Sequence, residues 1–387
     1  MSTVTKSIAA FALCLMMAVP ALGQNVSVSD YQVPVSSARK LLVNGSYNWQ
    51  GTKDVPQTNS FHSDVLFSSF YSSLPFAWFL DASGAADHSL GVDWTTQGHV
   101  SGEVRKYIFD NQDWFASGRL TVDHQTGYAQ PDMNARAAGG YGRYINATAL
   151  AKAVRIEELL MKENVLKDHM PKETMIKIAN IIERESEYQD TYGTTYEVQW
   201  FADIEKEAKS SGSLVGDGLG AIGLFRIREV LFPGQVGSPP VNTRYYGWDA
   251  SAGVEFQVME PHKLDVKKPA LSLAANYAYP IDWSMQVNGG VEANTPVDSN
   301  FFKRVDVKGH IDYLYELSNR INFTSNYSVL YQKVPNIDAL TTHQLNASFL
   351  FYIENSINYV VTGSISKTGQ LDAVMGLSMS LQYRLLY

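Results

Sequence analysis

Between Arg304 and Tyr315 the chain alternates two chemistries residue by residue. Val305, Val307, Gly309, Ile311, Tyr313 and Tyr315 hold one parity; Arg304, Asp306, Lys308, His310 and Asp312 hold the other. Successive side chains of a β-strand point to opposite faces, so this segment makes a ribbon with one apolar and one charged surface. Residues 282–294 repeat the pattern, with Trp283, Met285, Val287, Gly289 and Val291 against Ser284, Gln286, Asn288 and Glu292. So do the last eleven residues, LSMSLQYRLLY, where Leu377 to Tyr387 alternate against Ser378, Ser380, Gln382 and Arg384. A pattern this pervasive needs two different solvents, one for each face.

The turns say which solvents. Residues 67–84, 105–120, 273–290, 311–329 and 349–366 each alternate into aromatics, turn over a few polar residues and alternate out past another aromatic. Phe76, Trp78, Trp114, Tyr277, Tyr279, Trp283, Tyr313, Tyr315, Phe323, Phe351, Tyr359 and Tyr387 form this set. Amphipathic rings gather at a membrane–water interface, and a row of them beside short turns is what a transmembrane sheet places there. After residue 23 no apolar run approaches the roughly 18–20 residues of a membrane helix. A membrane-spanning mature chain must then use strands, closed so that no backbone polar group meets lipid.

Reading parity along the chain gives about fourteen strands. They lie near 40–50, 60–71, 76–86, 98–109, 113–124 and 132–144, then near 245–258, 269–279, 282–294, 302–316, 320–334, 341–353, 356–366 and 376–387. An even number returns both ends to one side. The expected fold is mainly β: a transmembrane antiparallel up-and-down β-barrel with an inserted α-helical domain. The lumen-facing parity carries Asp64, Asp81, Glu103, Arg105, Arg119, Asp123, Arg136, Asp249, Glu255, Glu292, Arg304, Asp306, Lys308, His310, Asp312 and Arg384. The turns beside the aromatics are expected to face the periplasm, and the opposite loops, such as 258–268, to be longer and external.

Residues 1–23 read as a signal peptide: Lys6 before an apolar core from Ile8 to Ala18, then small residues before a cut at Gly23–Gln24. Cys14, the one cysteine, falls inside that core, which leaves the mature chain without a thiol. Residues 24–38 form a periplasmic N-terminal segment, 39–144 strands one to six, and 244–387 strands seven to fourteen. Between them, 145–243 breaks the alternation. Four stretches show helical spacing: Leu150, Val154 and Leu159; Met175, Ile178, Ala179 and Ile182 after Pro171; Trp200, Phe201 and Ile204; and an apolar run ended by Pro233 and Gly234. Strand direction puts this insertion on the periplasmic side, as a plug or as a dock for a periplasmic protein at 146–240.

An aromatic C-terminal residue after alternating apolar positions resembles the signature that the outer-membrane barrel assembly machinery recognises. Together with the signal peptide and the strands, it makes the chain similar to bacterial outer-membrane β-barrel proteins of the porin and transporter class. That resemblance implies the outer membrane as location, and its lipid and the assembly machinery as partners.

Catalytic chemistry finds less support. His62, His88, His99, His124, His262 and His343 gather at the external strand ends, several beside Asp64, Asp87 and Asp123. Omptin-like surface proteases use an Asp–His pair at that height, yet no fixed metal or catalytic spacing occurs here. "GGYGR" at 139–143 follows no nucleotide-binding pattern, so no cofactor is expected. A net charge of −8 without a basic block argues against nucleic acid. The expected function is a pore or transporter for small hydrophilic solutes and not an enzyme. The alternatives are a non-conducting barrel in envelope assembly or polysaccharide export, and behind it a surface hydrolase.

Overall fold

A computed structural model describes residues 25–52, 55–109, 112–233, 241–263, 269–318, 320–354 and 357–383. The expected signal peptide, Arg384 and Tyr387 lie outside these residues. Among the described residues there is one mainly antiparallel sheet of fourteen strands, each bonded to its neighbours in chain order. The strands are β1 (Ser36–Thr52), β2 (Val55–Ser72), β3 (Phe76–Ser89), β4 (Val92–Tyr107), β5 (Trp114–Gln125), β6 (Asp132–Asn146) and β7 (Tyr245–Met259). They continue as β8 (Ala270–Pro280), β9 (Met285–Pro296), β10 (Val305–Ser318), β11 (Ile321–Lys333), β12 (Leu340–Glu354), β13 (Ile357–Thr368) and β14 (Val374–Tyr383). No ladder joins β1 to β14 among the described residues, so the sheet has two free edges.

Local pattern explains most boundaries, but several differ from expectation. Strand β1 begins at Ser36 and not near 40, inside the expected N-terminal segment, and β2 at Val55 and not near 60, because the two strands pair along their full length. The strand expected from 282 begins at Met285, because the Asp282 carboxylate accepts from the backbone N–H groups of Ser284 and Met285, holding Asp282–Ser284 as a turn. The strand expected from 302 begins at Val305. Phe302 has a φ of 57°, so Phe301–Arg304 is a turn and Arg304 precedes the ladder. The strand expected from 98 begins at Val92, opposite Ser89. The opposite loops are also not uniformly long, since only Leu90 and Gly91 separate β3 from β4.

Between β6 and β7 the chain forms five helices: α1 (Thr148–Lys162), α2 (Lys172–Glu183), α3 (Glu185–Tyr192), α4 (Tyr196–Ser210) and α5 (Gly220–Leu231). The second expected helix is therefore two, broken at Arg184, where ψ rises to 18°. Pro171 caps the start of α2 and Gly193, at φ 59°, ends α3. The predicted stripes are buried: Leu150 and Val154; Met175, Ile178, Ala179 and Ile182; Trp200 and Ile204. Leu159 and Phe201 are partly buried against the same cluster. Trp200 is fully enclosed and its indole N–H donates to the Ile181 carbonyl at 2.7 Å.

Almost the whole dry core belongs to this helical unit, joined by Val26, Val28 and Tyr31 of the N-terminal segment. The sheet contributes isolated buried residues such as Phe115, Ala278, Met285 and Phe323. Each of its faces must therefore be satisfied by something other than a second layer of this chain.

Candidate functional site

Register sorts the strand residues onto the two faces. Direct partners in a ladder share a face. One row runs Asp64–Ala85–Gln97–Gln125; neighbouring rows link Ser68, Asp81 and Ser101, then Phe79, Glu103, Arg119, Arg136 and Glu255. On the same face His99 meets Asp123, and Arg105 lies two positions from Glu103. Farther round, Asp249 faces Asn276, Glu292 faces Lys308, Asp306 faces Asn294, His310 faces Gly290 and Asp312 faces Asn288. Every expected lumen residue within a ladder falls on this polar face. From β11 to β14 the face changes to uncharged residues, with Asn326, Asn346, Ser364 and Gly376 as one row.

The polar face is knitted across strands. Arg105 donates to Asp249 at 3.1 Å, while Asn276 donates to the other oxygen of that buried carboxylate. Arg119 holds Glu103, His99 holds Asp123 at 2.6 Å, and Asn44 donates to Asp64 at 2.8 Å. His62 lies between Asp87 and Asp64. His62 with Asp64, and His99 with Asp123, line one open groove of about 680 Å³ together with Gln97, Tyr128 and Asp132. Among the described residues no three His, Cys, Asp or Glu side chains are placed to hold a metal ion. His88, His124 and His343 sit on the other parity, and His262 packs against Tyr128 in a loop.

The apolar face carries the expected aromatics. Phe76, Trp78, Trp114, Tyr277, Tyr279, Tyr313, Tyr315, Phe323, Phe351 and Tyr359 all share it, near the end bearing the short turns. Trp283 does not. It sits in the β8–β9 turn, packs against the helical core and donates to the Val26 carbonyl at 2.8 Å. A second aromatic row at the opposite end was not anticipated: Tyr47 pairs with Phe61, and Phe61 and His88 lie 5.4 and 4.9 Å from the Trp94 ring. Its signal was present as the alternating Tyr47, Trp49 and Phe61, but no tight-turn motif marked it.

The helical unit seats on the turn end of the sheet. Glu316 at the foot of β10 is the anchor, accepting from Arg155 of α1 at 2.7 Å, from Asn242 at 2.6 Å and from Arg244 at 2.9 Å. Arg244 is only 1% exposed; burial pulls its guanidinium below the ordinary value, and Glu316 opposes that shift. Arg244 also donates to the Trp283 carbonyl at 2.7 Å, and Tyr246 donates to the Tyr31 carbonyl at 2.6 Å. Where the unit leaves the sheet, Gly142 (φ 108°) and Gly247 (φ 89°) bracket the Arg143–Trp248 pair. A Cβ at either would lie 2.2–2.3 Å from a carbonyl oxygen across the ladder. Between the linker Asn242–Thr243 and the polar face of β9–β12 remains a cavity of about 490 Å³ lined by His310, Asp312 and Asn326.

This anchor predicts a specific defect. Glu316→Ala leaves Arg244 buried without its carboxylate, a change that costs about 3–5 kcal/mol. The unit is expected to detach from the sheet before the sheet itself unfolds. Limited proteolysis of the folded protein should then cut within 148–231 while the strand region stays protected, and unchanged cleavage would refute the anchor. No protein-family profile matches the chain, and no curated protein is significantly similar to it.

Proposed function

We propose that the sheet closes into a barrel in the bacterial outer membrane and conducts small hydrophilic solutes, with the helical unit seated across the periplasmic end. The observation carrying this reading is the division of chemistry across fourteen strands. One face carries nearly all the charged and hydrogen-bonding side chains of the ladders, the other is mostly apolar and exposed, and among the described residues the extensive dry core lies in the helices. Lipid outside and water inside account for both faces. The two aromatic rows support it: Phe61 and Tyr71 stand on one face of β2, ten residues apart. That is about 33 Å along a strand, or about 25 Å in height at a tilt near 40°, close to the apolar band of such barrels. Planar-bilayer conductance of the refolded protein tests the reading, with strand-dominated circular dichroism and heat-modifiable gel migration. A monomer that stays soluble without detergent and does not conduct would end it.

Charge gives the pore a sign. Among the described residues the polar face sets Asp64, Asp81, Asp87, Asp123, Asp132, Asp306 and Asp312 beyond the carboxylates already opposite Arg105, Arg119, Arg136 and Lys308. Walls of one sign concentrate counter-ions. A KCl gradient across the bilayer is expected to give a reversal potential of the cation-selective sign, and the anion-selective sign would refute the lumen assignment.

A second reading has its own observation. Ile222 and Phe225 of α5 are 58% and 49% exposed, and Val198 of α4 is 67% exposed. Apolar side chains left on the helical unit favour a periplasmic protein docking there, with the barrel as its anchor.

A further inference from the structure

The aromatic row at the turn end does not follow the ladders, and its drift contains information about closure. Tyr71 and Trp78 are direct partners, yet crossing straight from Trp78 leads through Val104 to Gly118, four residues past Trp114 on β5. Trp114 faces Tyr141, whose partner on β7 is Ala250, two residues past Trp248. Trp248 faces Tyr277; two residues on, Tyr279 leads through Val287 to Tyr313. Two further, Tyr315 faces Phe323, whose partner Phe349 is two short of Phe351. Phe351 faces Tyr359, whose partner Leu381 is two short of Tyr383. Every slip is toward the turn end.

A tilted sheet explains this. Ladder rows run perpendicular to the strands and so climb relative to the membrane plane, whereas an aromatic row stays at one depth. The slip accumulated in one circuit is the stagger of the closed barrel. The row falls fourteen residues between β2 and β14, so a circuit of fourteen strands accumulates about sixteen. The number must be even, because an odd stagger would join the polar face to the apolar one.

We propose that β14 closes directly onto β1 in one register, with Asn44 opposite Ser378 and Val43 opposite Met379. This rests on the barrel reading and adds its dimensions. As first and last of an even number, the two edges run antiparallel. Apolar side chains at odd positions of both edges are bare: Leu41, Val43, Met379 and Leu381 are 61–66% exposed. In this register Val374–Tyr383 lies along Arg39–Asn48. That ladder fits between Ser37, whose N–H is taken by Glu187 at 2.7 Å, and the irregularity at Gln50/Gly51. With a 3.3 Å rise and 4.8 Å spacing, such a stagger tilts the strands by about 38° and sets a backbone diameter of roughly 27 Å. Once side chains fill the rim, the bore is narrower than the roughly 20 Å that two packed helices need, so the helical unit stays at the end.

The single cysteine makes the register measurable. In a Cys14→Ser background, Asn44→Cys is combined with Ser378→Cys, or with Gly376→Cys or Ser380→Cys as out-of-register controls. A disulfide needs Cα atoms within about 7 Å, which a two-residue offset exceeds. Oxidation of the folded protein is expected to give an intramolecular cross-link, seen as a shifted monomer on a non-reducing gel, strongest for Asn44/Ser378. A stronger link with Gly376 or Ser380 overturns the register while the barrel stands. Cross-linked dimers alone, or no link in any pair, overturn closure itself and the barrel reading with it.

Discussion

Arginine in place of Ile311 or Tyr313 is expected to block membrane insertion, whereas His310→Ser and Asp312→Ser should assemble normally. The four residues are consecutive, so the contrast tests face and not strand. Ile311 lies between Gly289 and Tyr327 on the apolar face; Asp312 lies between Asn288 and Asn326 on the polar one, where Asn326 donates to it. A cation on the lipid face near mid-bilayer costs about 2–4 kcal/mol, a large part of ordinary folding stability. Heat-modifiable migration after refolding into vesicles reads the outcome. Equal damage from both pairs would show that this strand does not separate lipid from water.

Excising the helical unit is expected to raise conductance several-fold while leaving the sheet intact. The chain ends permit it, because the Ala147 N–H donates to the Arg244 carbonyl at 2.7 Å and a short Gly/Ser link can replace residues 148–242. Residues 25–33 should go as well, since Val26, Val28 and Tyr31 are buried mainly against the helices, with Tyr246 and Trp283 their contacts on the sheet. Glu316 is kept, because it still pairs with the retained Arg244 once Arg155 and Asn242 are gone. If conductance is unchanged but a periplasmic protein is lost from the complex, the docking role replaces the occluding one. A variant that cannot assemble would exclude both, making the unit part of the sheet's own folding core.

The division between local and distant information explains what the sequence disclosed. All fourteen strands were legible because side-chain period two is a property of the residues themselves, and each strand's faces follow from it without knowledge of its neighbours. The polar-face parity was legible for the same reason: Asp81, Glu103 and Arg136 share a face once the period is known, whatever the register. The helical stripes of Met175, Ile178 and Ile182 likewise needed only their spacing. Turns were less legible. Trp283 matched the strand parity, but the Asp282 carboxylate holds a turn there and sends the indole to Val26.

Only the tertiary structure decided the rest. That Glu316 at the end of β10 gathers Arg155, Asn242 and Arg244, and that Val26–Tyr31 completes a core otherwise made more than a hundred residues later, are contacts between segments with no common pattern. The pairing of Arg105 with Asp249 is of the same kind, because it depends on the register of β4 to β7. Alternation determined which side chains share the polar face and which the apolar one, since that choice is made residue by residue. Register, seating and the drift of the aromatic row required the ladders, because they are relations between strands and belong to no single one.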